Sequence, residues 1–365
     1  MIGVAIDIGT TTVQAQLVKI NTGEILDKYS AFNDQRCFGS DVITRINAAQ
    51  NGKLNDLSLI INRQIESILQ NFKYKWNLGG IPRCNITGNT TMLHLFCRTD
   101  PSSMGITPYI PMFLNEQNFA GSDLYLSADH ITLLPGISAF IGADITAGLA
   151  FINILKKNDN AIFIDIGTNG EIALWKADEK RLFCCSAAAG SCFEEAEIIY
   201  GLYAKDFINA IAEMKNTKVI NETGALAKKY KDTGFCVSEG IVLYQKDVRQ
   251  FQMAKSAIYS GIKTICRKAN VELKKINTVY FAGGIGFHIN YENAAEVGLI
   301  PKEFAGKTNN INLEICGNTS LKGAAESLTN SSFLSRCCDL ISCAETIDLA
   351  NDKYFIAAFT HNLNF

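Results

Sequence analysis

Two short strings in this chain carry residue types that could do chemistry. Ile6–Asp7–Ile8–Gly9–Thr10–Thr11–Thr12 returns in the second half as Ile164–Asp165–Ile166–Gly167–Thr168–Asn169–Gly170. Each is an apolar strand that ends in an aspartate and turns through glycine and threonine. Such a turn presents backbone N–H groups and hydroxyls to an anion while the carboxylate faces a metal ion. Two of them facing across a cleft would grip a nucleotide polyphosphate from both sides. Asp7 and Asp165 are therefore candidates to hold Mg²⁺ or its bound water beside the phosphates. The plainer alternative is an aspartate that caps its own turn. Gly9, Thr10, Thr11, Thr12, Gly167, Thr168, Asn169 and Gly170 are the candidates to contact phosphate oxygens.

Two further carboxylates sit at suggestive places. Asp144 follows Gly142 just before a helical stretch; it could order an attacking water or ligate a metal, or simply cap a helix from Ile145. Glu171 could position water or be no more than the first residue of a strand. A second motif is also duplicated: Ile86–Met92 resembles Ile315–Leu321, each a short strand, a Gly-Asn-Thr turn (Gly88 and Asn89; Gly317 and Asn318) and a helix start where Thr or Ser can serve as N-cap. Thr278–Phe281 leads into a glycine-rich turn whose Gly283, Gly284 and Gly286 would let the backbone approach an adenosine and its α-phosphate. Lys255, on the long helix before that turn, could cover the adenine or ribose face, although a solvated helix lysine is commoner.

The elements around these residues repeat as well. After the first turn, Val13–Lys19 alternates and Glu24–Phe32 reads as a third strand; after the second, Glu171–Ala177 and Arg181–Ala187 do the same. Each half thus opens with a three-stranded antiparallel meander. Helical periodicity follows over Leu54–Phe72 and Asp247–Asn270. The pattern divides the chain into two α/β halves, 1–145 and 146–326, with 327–365 helical and then irregular, packing back on the first half.

Composition narrows the function classes. The chain has 365 residues, 47% of them hydrophobic and 19% charged, enough to bury a sizeable core. A net charge of −2 gives no electrostatic case for nucleic acid or an anionic membrane. The apolar stretch Ile131–Leu155 contains Pro135, Asp144 and several glycines, which argues for a loop, strand and buried helix over a membrane span. No signal peptide is visible, so a cytoplasmic protein is expected. The twelve cysteines include no C-x-x-C pair, which supports neither structural zinc nor the usual iron–sulfur runs. Cys184, Cys185 and Cys192 flank Ser186–Gly190 and read best as buried strand cysteines. The four histidines show no ligand spacing.

The five turns in their order resemble the signature of the superfamily of acetate and sugar kinases, heat-shock chaperone ATPases and actin. Asp7–Thr12, Gly88–Thr90, Asp165–Glu171, Gly283–Gly286 and Gly317–Thr319 match its two phosphate turns, its adenosine turn and its two connecting segments. Leu134–Asp144, Asp165–Glu171, Ala188–Gly190 and Gln245–Arg249 are closer to one branch, the reductive activators of corrinoid proteins, over essentially the whole chain. That resemblance implies a two-lobed actin-like (ribonuclease H-like) ATPase fold with duplicated mixed sheets, using ATP and Mg²⁺. It also implies an ATPase that returns an inactivated cobalt(II) corrinoid protein to cobalt(I). The expected assembly is a homodimer.

One departure from that family is visible. Its members normally carry a ferredoxin-like iron–sulfur domain with a C-x4-C-x2-C run, and none is present here. The expectation is that no iron–sulfur cluster sits in this chain and that electrons come from a separate low-potential donor. A small-molecule kinase of the same superfamily and an activator of the 2-hydroxyacyl-CoA dehydratase type remain the alternatives.

Overall fold

The computed structural model describes residues 1–190, 192–283, 289–305 and 311–365. They divide into two compact units: 1–155 with 318–344, and 156–317 with 345–365.

The first unit is built on a six-stranded mixed sheet. Its strands are β1 (Ile2–Ile8), β2 (Thr12–Lys19), β3 (Glu24–Phe32), β4 (Ile81–Gly88), β5 (Gln117–Ala120) and β6 (Ala128–Leu133), in spatial order β3-β2-β1-β4-β6-β5. The β1–β2–β3 meander is antiparallel, β4 runs parallel to both β1 and β6, and β5 closes the edge antiparallel. Val4, Ala5, Ile6 and Ile8 are all buried, the near-continuous apolar run expected of a central strand covered on both faces. Helix Leu54–Lys75 buries Leu57, Ile61, Ile65, Ile68 and Phe72, spaced three and four apart so that they share one face. Burying each such side chain contributes about 1.5–3 kcal/mol. Helices Ala143–Phe151 and Thr319–Thr329 pack with their backbones close, because Gly323 leaves no side chain against the Ala147 carbonyl.

The second unit repeats the plan. Its main sheet holds β7 (Ala161–Ile166), β8 (Gly170–Lys176) and β9 (Arg181–Ala187). A separate two-stranded ribbon of β10 (Phe235–Ser238) and β11 (Ile241–Leu243) follows, and then β12 (Thr278–Ala282), β13 (Asn312–Gly317) and the short β14 (Ala344–Thr346) return to the main sheet. The spatial order there is β13-β12-β7-β8-β9-β14, with β7–β8–β9 antiparallel and β12 parallel to both β7 and β13. Helix Gln245–Lys268 buries Val248, Phe251, Ile258, Ile262 and Ile265 in a core shared with β7, β8 and β9. The two duplicated meanders are therefore present as read from the sequence, and both long helices are found within a few residues of their expected bounds.

Two expectations change. The chain passes from one unit to the other at 155/156, 317/318 and 344/345: the first crossing comes later than expected, the second earlier, and a third is added, because helices Ala143–Phe151 and Thr319–Thr329 pack together within the first unit. The stretch after residue 327 is not irregular and is divided between the units. Helix Phe333–Cys343 stays with the first, while helix Lys353–Asn362, capped by Asp352, packs on Gln245–Lys268 of the second. Its Phe355 and Phe359, with Phe365, lie against the second unit's core. Ile131–Leu155 is, as expected, strand, loop and buried helix: the end of β6, a connecting loop and the helix Ala143–Phe151. Among the described residues, no helix is long and apolar enough to cross a membrane.

Candidate functional site

In the first unit the Gly9–Thr11 turn joins β1 to β2, and the Gly9 N–H donates to the Thr12 carbonyl at 2.9 Å. A side chain at Gly9 would lie 2.7 Å from that same oxygen, so the tight closure needs glycine. Asp7 pairs in register with Gln14 on β2 and Thr87 on β4, which places it at the carboxyl end of the sheet's centre. Its carboxylate accepts from Asn318 Nδ2 at 2.8 Å and Ser320 Oγ at 3.0 Å. Burial pushes the Asp7 carboxyl up from its ordinary value, against the pull of those two donors.

Asp144 lies in the first turn of helix Ala143–Phe151, whose N-cap is Gly142 and not Asp144 itself. Its Oδ1 accepts from the Ile145 N–H at 2.8 Å. Burial first, and then the neighbouring charge of Asp7, raise its pKa to about 7. Two carboxylates that disfavour each other's ionisation attract a proton or a cation.

Both Gly-Asn-Thr motifs reach this turn. Asn89 caps helix Thr90–Phe96 by accepting from the Met92 N–H, and its Nδ2 donates to Thr10 Oγ1 at 2.9 Å. Asn318 caps Thr319–Thr329 by accepting from the Leu321 N–H, while its Nδ2 holds Asp7. In both copies the cap is the asparagine, not the Thr or Ser expected from sequence. That leaves Ser320 to donate to Asp7. Gly88 packs against the Ile8 carbonyl, and Gly142 against the backbone of Asn89 and Thr90, each at a distance only glycine permits.

In the second unit Asp165 lies on β7 opposite Glu171 of β8 and beside Ala282 of β12. Gly167 N–H donates to the Asn169 carbonyl at 2.9 Å. The second turn is one residue shorter: Asp165 pairs with Glu171 six positions on, whereas Asp7 pairs with Gln14 seven on. Glu171 is a strand residue that accepts from Ser186 Oγ at 3.1 Å on β9. Gly283, at φ +83°, packs against the Asp165 carboxylate and receives Gly317 as acceptor for its N–H at 3.2 Å. The structure therefore gathers Asp165, Thr168, Asn169, Gly170, Glu171, Gly283 and Gly317 around the ends of β7, β8, β12 and β13. Gly284 and Gly286 lie outside the described residues.

Lys255 does not join this group. Its ammonium is buried and donates to the carbonyls of Asn362 and Asn364, both at 2.6 Å, under the Phe365 ring. A lysine anchored this way fastens the 353–365 segment and is withdrawn from the ribose role expected of it. Cys184 and Cys185 are buried in β9, as expected of strand cysteines, whereas Cys192 is buried but begins the helix Cys192–Tyr200; burial lifts the Cys185 thiol well above its ordinary range.

The family model described as "RACo middle region" matches residues 2–157, and "C-terminal domain of RACo the ASKHA domain" matches 159–236 and 206–365. The chain belongs to the RACo family. It is 27% identical to the corrinoid activation enzyme RamQ of Eubacterium limosum over all of this chain and 70% of that protein. It is 25% identical to the [Co(II) methylated amine-specific corrinoid protein] reductase of Methanosarcina barkeri over 95% of this chain and 73% of that one. A solved structure titled "Reductive activator for corrinoid,iron-sulfur protein" superposes over the whole chain with a TM-score of 0.88 at 24% identity, and this chain spans 66% of it. The two-unit α/β architecture is thus the actin-like fold of that family.

Several side chains that shape the RACo-family turn were not legible as site residues. Gln14 is bridged to Asp7 through Asn318, Nδ2 lying 3.2 Å from Gln14 Oε1. Thr87 lies 3.5 Å from Ser320 Oγ. Asn33 and Arg45 hold the turn's carbonyls from behind. Ser320 sits inside a motif already visible in the sequence; the others carry no local signal, because only the register of β1 with β2 and β4 and the return of the 33–48 segment bring them close.

Proposed function

We propose that this chain binds and hydrolyses ATP with Mg²⁺, and that turnover drives the reductive reactivation of a corrinoid protein from cobalt(II) to cobalt(I). The phosphate-binding elements in this reading are the Asp7–Thr12 turn of the first unit and the Asp165–Glu171 turn of the second. The observation that carries it is Asp7: a carboxylate at the end of a central strand, fixed by Asn318 and Ser320 and crowded by Asp144. Such a pair offers oxygen-only donors whose ionisation a bound cation would favour, which suits Mg²⁺. That ion is commonly held by one or two carboxylates together with substrate phosphates. When bound, it would neutralise phosphate charge and polarise the γ-phosphoryl group.

The protein's own residues have separate tasks. Thr10 and Asn89, linked by their side chains, would orient the phosphate oxygens. Asp144 would accept a proton from, or align, the attacking water; with a pKa near the operating pH it is matched to that role. Within the second unit, Gly283 and Gly317 would keep the backbone beside Asp165 open to a close approach by a ligand. Differential affinity of the protein for the triphosphate and diphosphate forms would bias its conformation and so do work on the partner. Support for a corrinoid protein as that partner comes from what the relatives are named for. Electrons would come from a separate low-potential donor, and the working form would be a cytoplasmic homodimer.

The deciding experiment is spectroscopic. Purified protein, a low-potential donor, Mg·ATP and a cobalt(II) corrinoid protein should yield the cobalt(I) absorption, and omitting ATP should abolish it. ATP hydrolysis without any cobalt(I) across several corrinoid partners would retire the activase reading and leave an ATPase. No binding of Mg·ATP by calorimetry would retire both.

A further inference from the structure

Behind the first turn lies a charge that the proposed chemistry has not used. Arg45, in the short helix Val42–Ala48, is fully buried, and its guanidinium donates to the Thr10 carbonyl at 2.6 Å and the Gly39 carbonyl at 3.0 Å. Its remaining contacts are Gln35 Oε1 at 3.4 Å and Met92 Sδ at 3.1 Å. Among the described residues no carboxylate lies within ion-pair distance of it. Asp41 acts on it only from a distance, with the Cys37 thiol, and Arg36 opposes both. Burial lowers its pKa to about 10, which still leaves it charged at neutral pH.

A buried cation without a counter-ion is costly and is normally found paired. Here its shortest contact is to a peptide dipole of the Gly9–Thr12 turn, the Thr10 carbonyl, with the Gly39 carbonyl as its second acceptor. The carbonyls of Gly9, Thr10 and Thr11 are taken in sequence by Asn33 Nδ2 at 2.8 Å, by Arg45, and by the Asn33 N–H at 2.8 Å. The N–H ends of those same three peptide units belong to Thr10, Thr11 and Thr12. A cation on the carbonyl polarises the peptide and makes its N–H a stronger donor.

We propose that Arg45 is the built-in counter-charge of the Gly9–Thr12 turn, a positioning residue that acts through the Thr10 peptide and whose missing partner is the polyphosphate of a bound nucleotide. The inference rests on the reading that this turn binds nucleotide, and it adds that affinity there depends on phosphate charge through one buried guanidinium. Two substitutions separate charge from hydrogen bonding. Arg45→Gln keeps an amide donor for the Thr10 carbonyl and removes the charge; Arg45→Lys keeps the charge and removes the planar fork.

The test is calorimetric titration of wild type and both variants with ATP, ADP, AMP and adenosine, after circular dichroism has shown each to be folded. Arg45→Gln should lose about 30-fold or more in ATP affinity, the scale of removing one partner of a buried charge pair. The loss should shrink through ADP and AMP and vanish for adenosine, and Arg45→Lys should recover part of it. If the folded Gln variant binds the four ligands as wild type does, or loses all of them equally, the counter-charge role is overturned while the nucleotide reading stands. If wild type binds no ATP, the nucleotide reading itself falls and this inference with it. Should neither variant fold, the wild-type series in EDTA decides: affinity that climbs with phosphate number supports the proposal, and a flat series overturns it.

Discussion

Asn318 donates to Oδ2 of Asp7 at 2.8 Å, joining residues 311 positions apart in the chain, while its own Oδ1 caps the helix that follows it. One asparagine thus fixes both the carboxylate and the start of the helix that carries Ser320. The two tasks can be separated. Asn318→Ala loses both and should cost about 1–2 kcal/mol of stability, read as a lowered denaturant midpoint. Asn318→Asp keeps a capping oxygen but sets a third carboxylate beside Asp7 and Asp144. Its deficit should be small at pH 5 and should grow towards pH 8 as those groups are forced to ionise together. An Asp variant as stable as wild type at pH 8 would contradict the crowding described here.

Asp144 gives a second pH signature. Its folded pKa of about 7 lies above the ordinary aspartate value of 3.8, so across that window the folded chain holds a proton that the unfolded chain releases. Stability contributed by this group is therefore present below pH 3.8 and is lost as pH rises through about 7. Asp144→Asn should remove that decline. Thermal melts should show the variant gaining on wild type between pH 5 and pH 8, and ATP turnover should fall roughly 10²–10⁴-fold if the carboxylate serves as base. A variant that melts in parallel with wild type at every pH would show that Asp144 ionises without hindrance.

What the sequence made legible follows from how locally each feature is encoded. The Asp-Gly-Thr turns, the meanders and the two long helices depend on alternation, glycine placement and three-to-four spacing within a few residues, and each is found where expected. The helix caps were located but assigned to the neighbouring Thr and Ser, because asparagine and the hydroxyl residues suit the position about equally. Arg45 and Asn33 could not be found this way. Their importance comes from a loop that returns under the turn, and nothing within Asp41–Ala48 distinguishes Arg45 from a surface arginine. Of the C-terminal stretch, helix Phe333–Cys343 lies with the first half as expected and only 345–365 goes to the second unit, because Phe355 and Phe359 would suit any apolar face and only tertiary packing selects that unit's core.

Gly283 offers a test confined to the second unit. Its φ of +83° is in the left-handed region, and a methyl group there would meet the Asp165 carboxylate and lie 2.6 Å from the Ile166 carbonyl. Gly283→Ala should lose about 2 kcal/mol or more from backbone strain alone. The displaced Asp165 should weaken Mg·ATP binding in whatever fraction folds. Calorimetry and thermal melts together check this. Wild-type affinity in a variant of lowered melting temperature would mean that Asp165 can shift without consequence for the nucleotide.

Lys255 presents the opposite sign from Asp144. Burial, with a smaller contribution from Lys215, lowers its pKa from 10.5 to about 8. Between those values the unfolded chain holds a proton that the folded chain has given up, so stability contributed by this group rises with pH from about 8 towards 10.5. Below pH 8 the folded protein carries a buried ammonium whose partners are the Asn362 and Asn364 carbonyls, with Phe365 stacked over it. Lys255→Met should flatten the rise in stability above pH 8, since the methionine has no proton to lose. It should also leave the two carbonyls without their donor, and amide exchange over 353–365 should quicken at pH 7 while β7 and β8 stay protected. A variant with unchanged exchange in that segment would show that Phe355 and Phe359 alone suffice to hold the helix, and that the ammonium is tolerated there without contributing to the attachment.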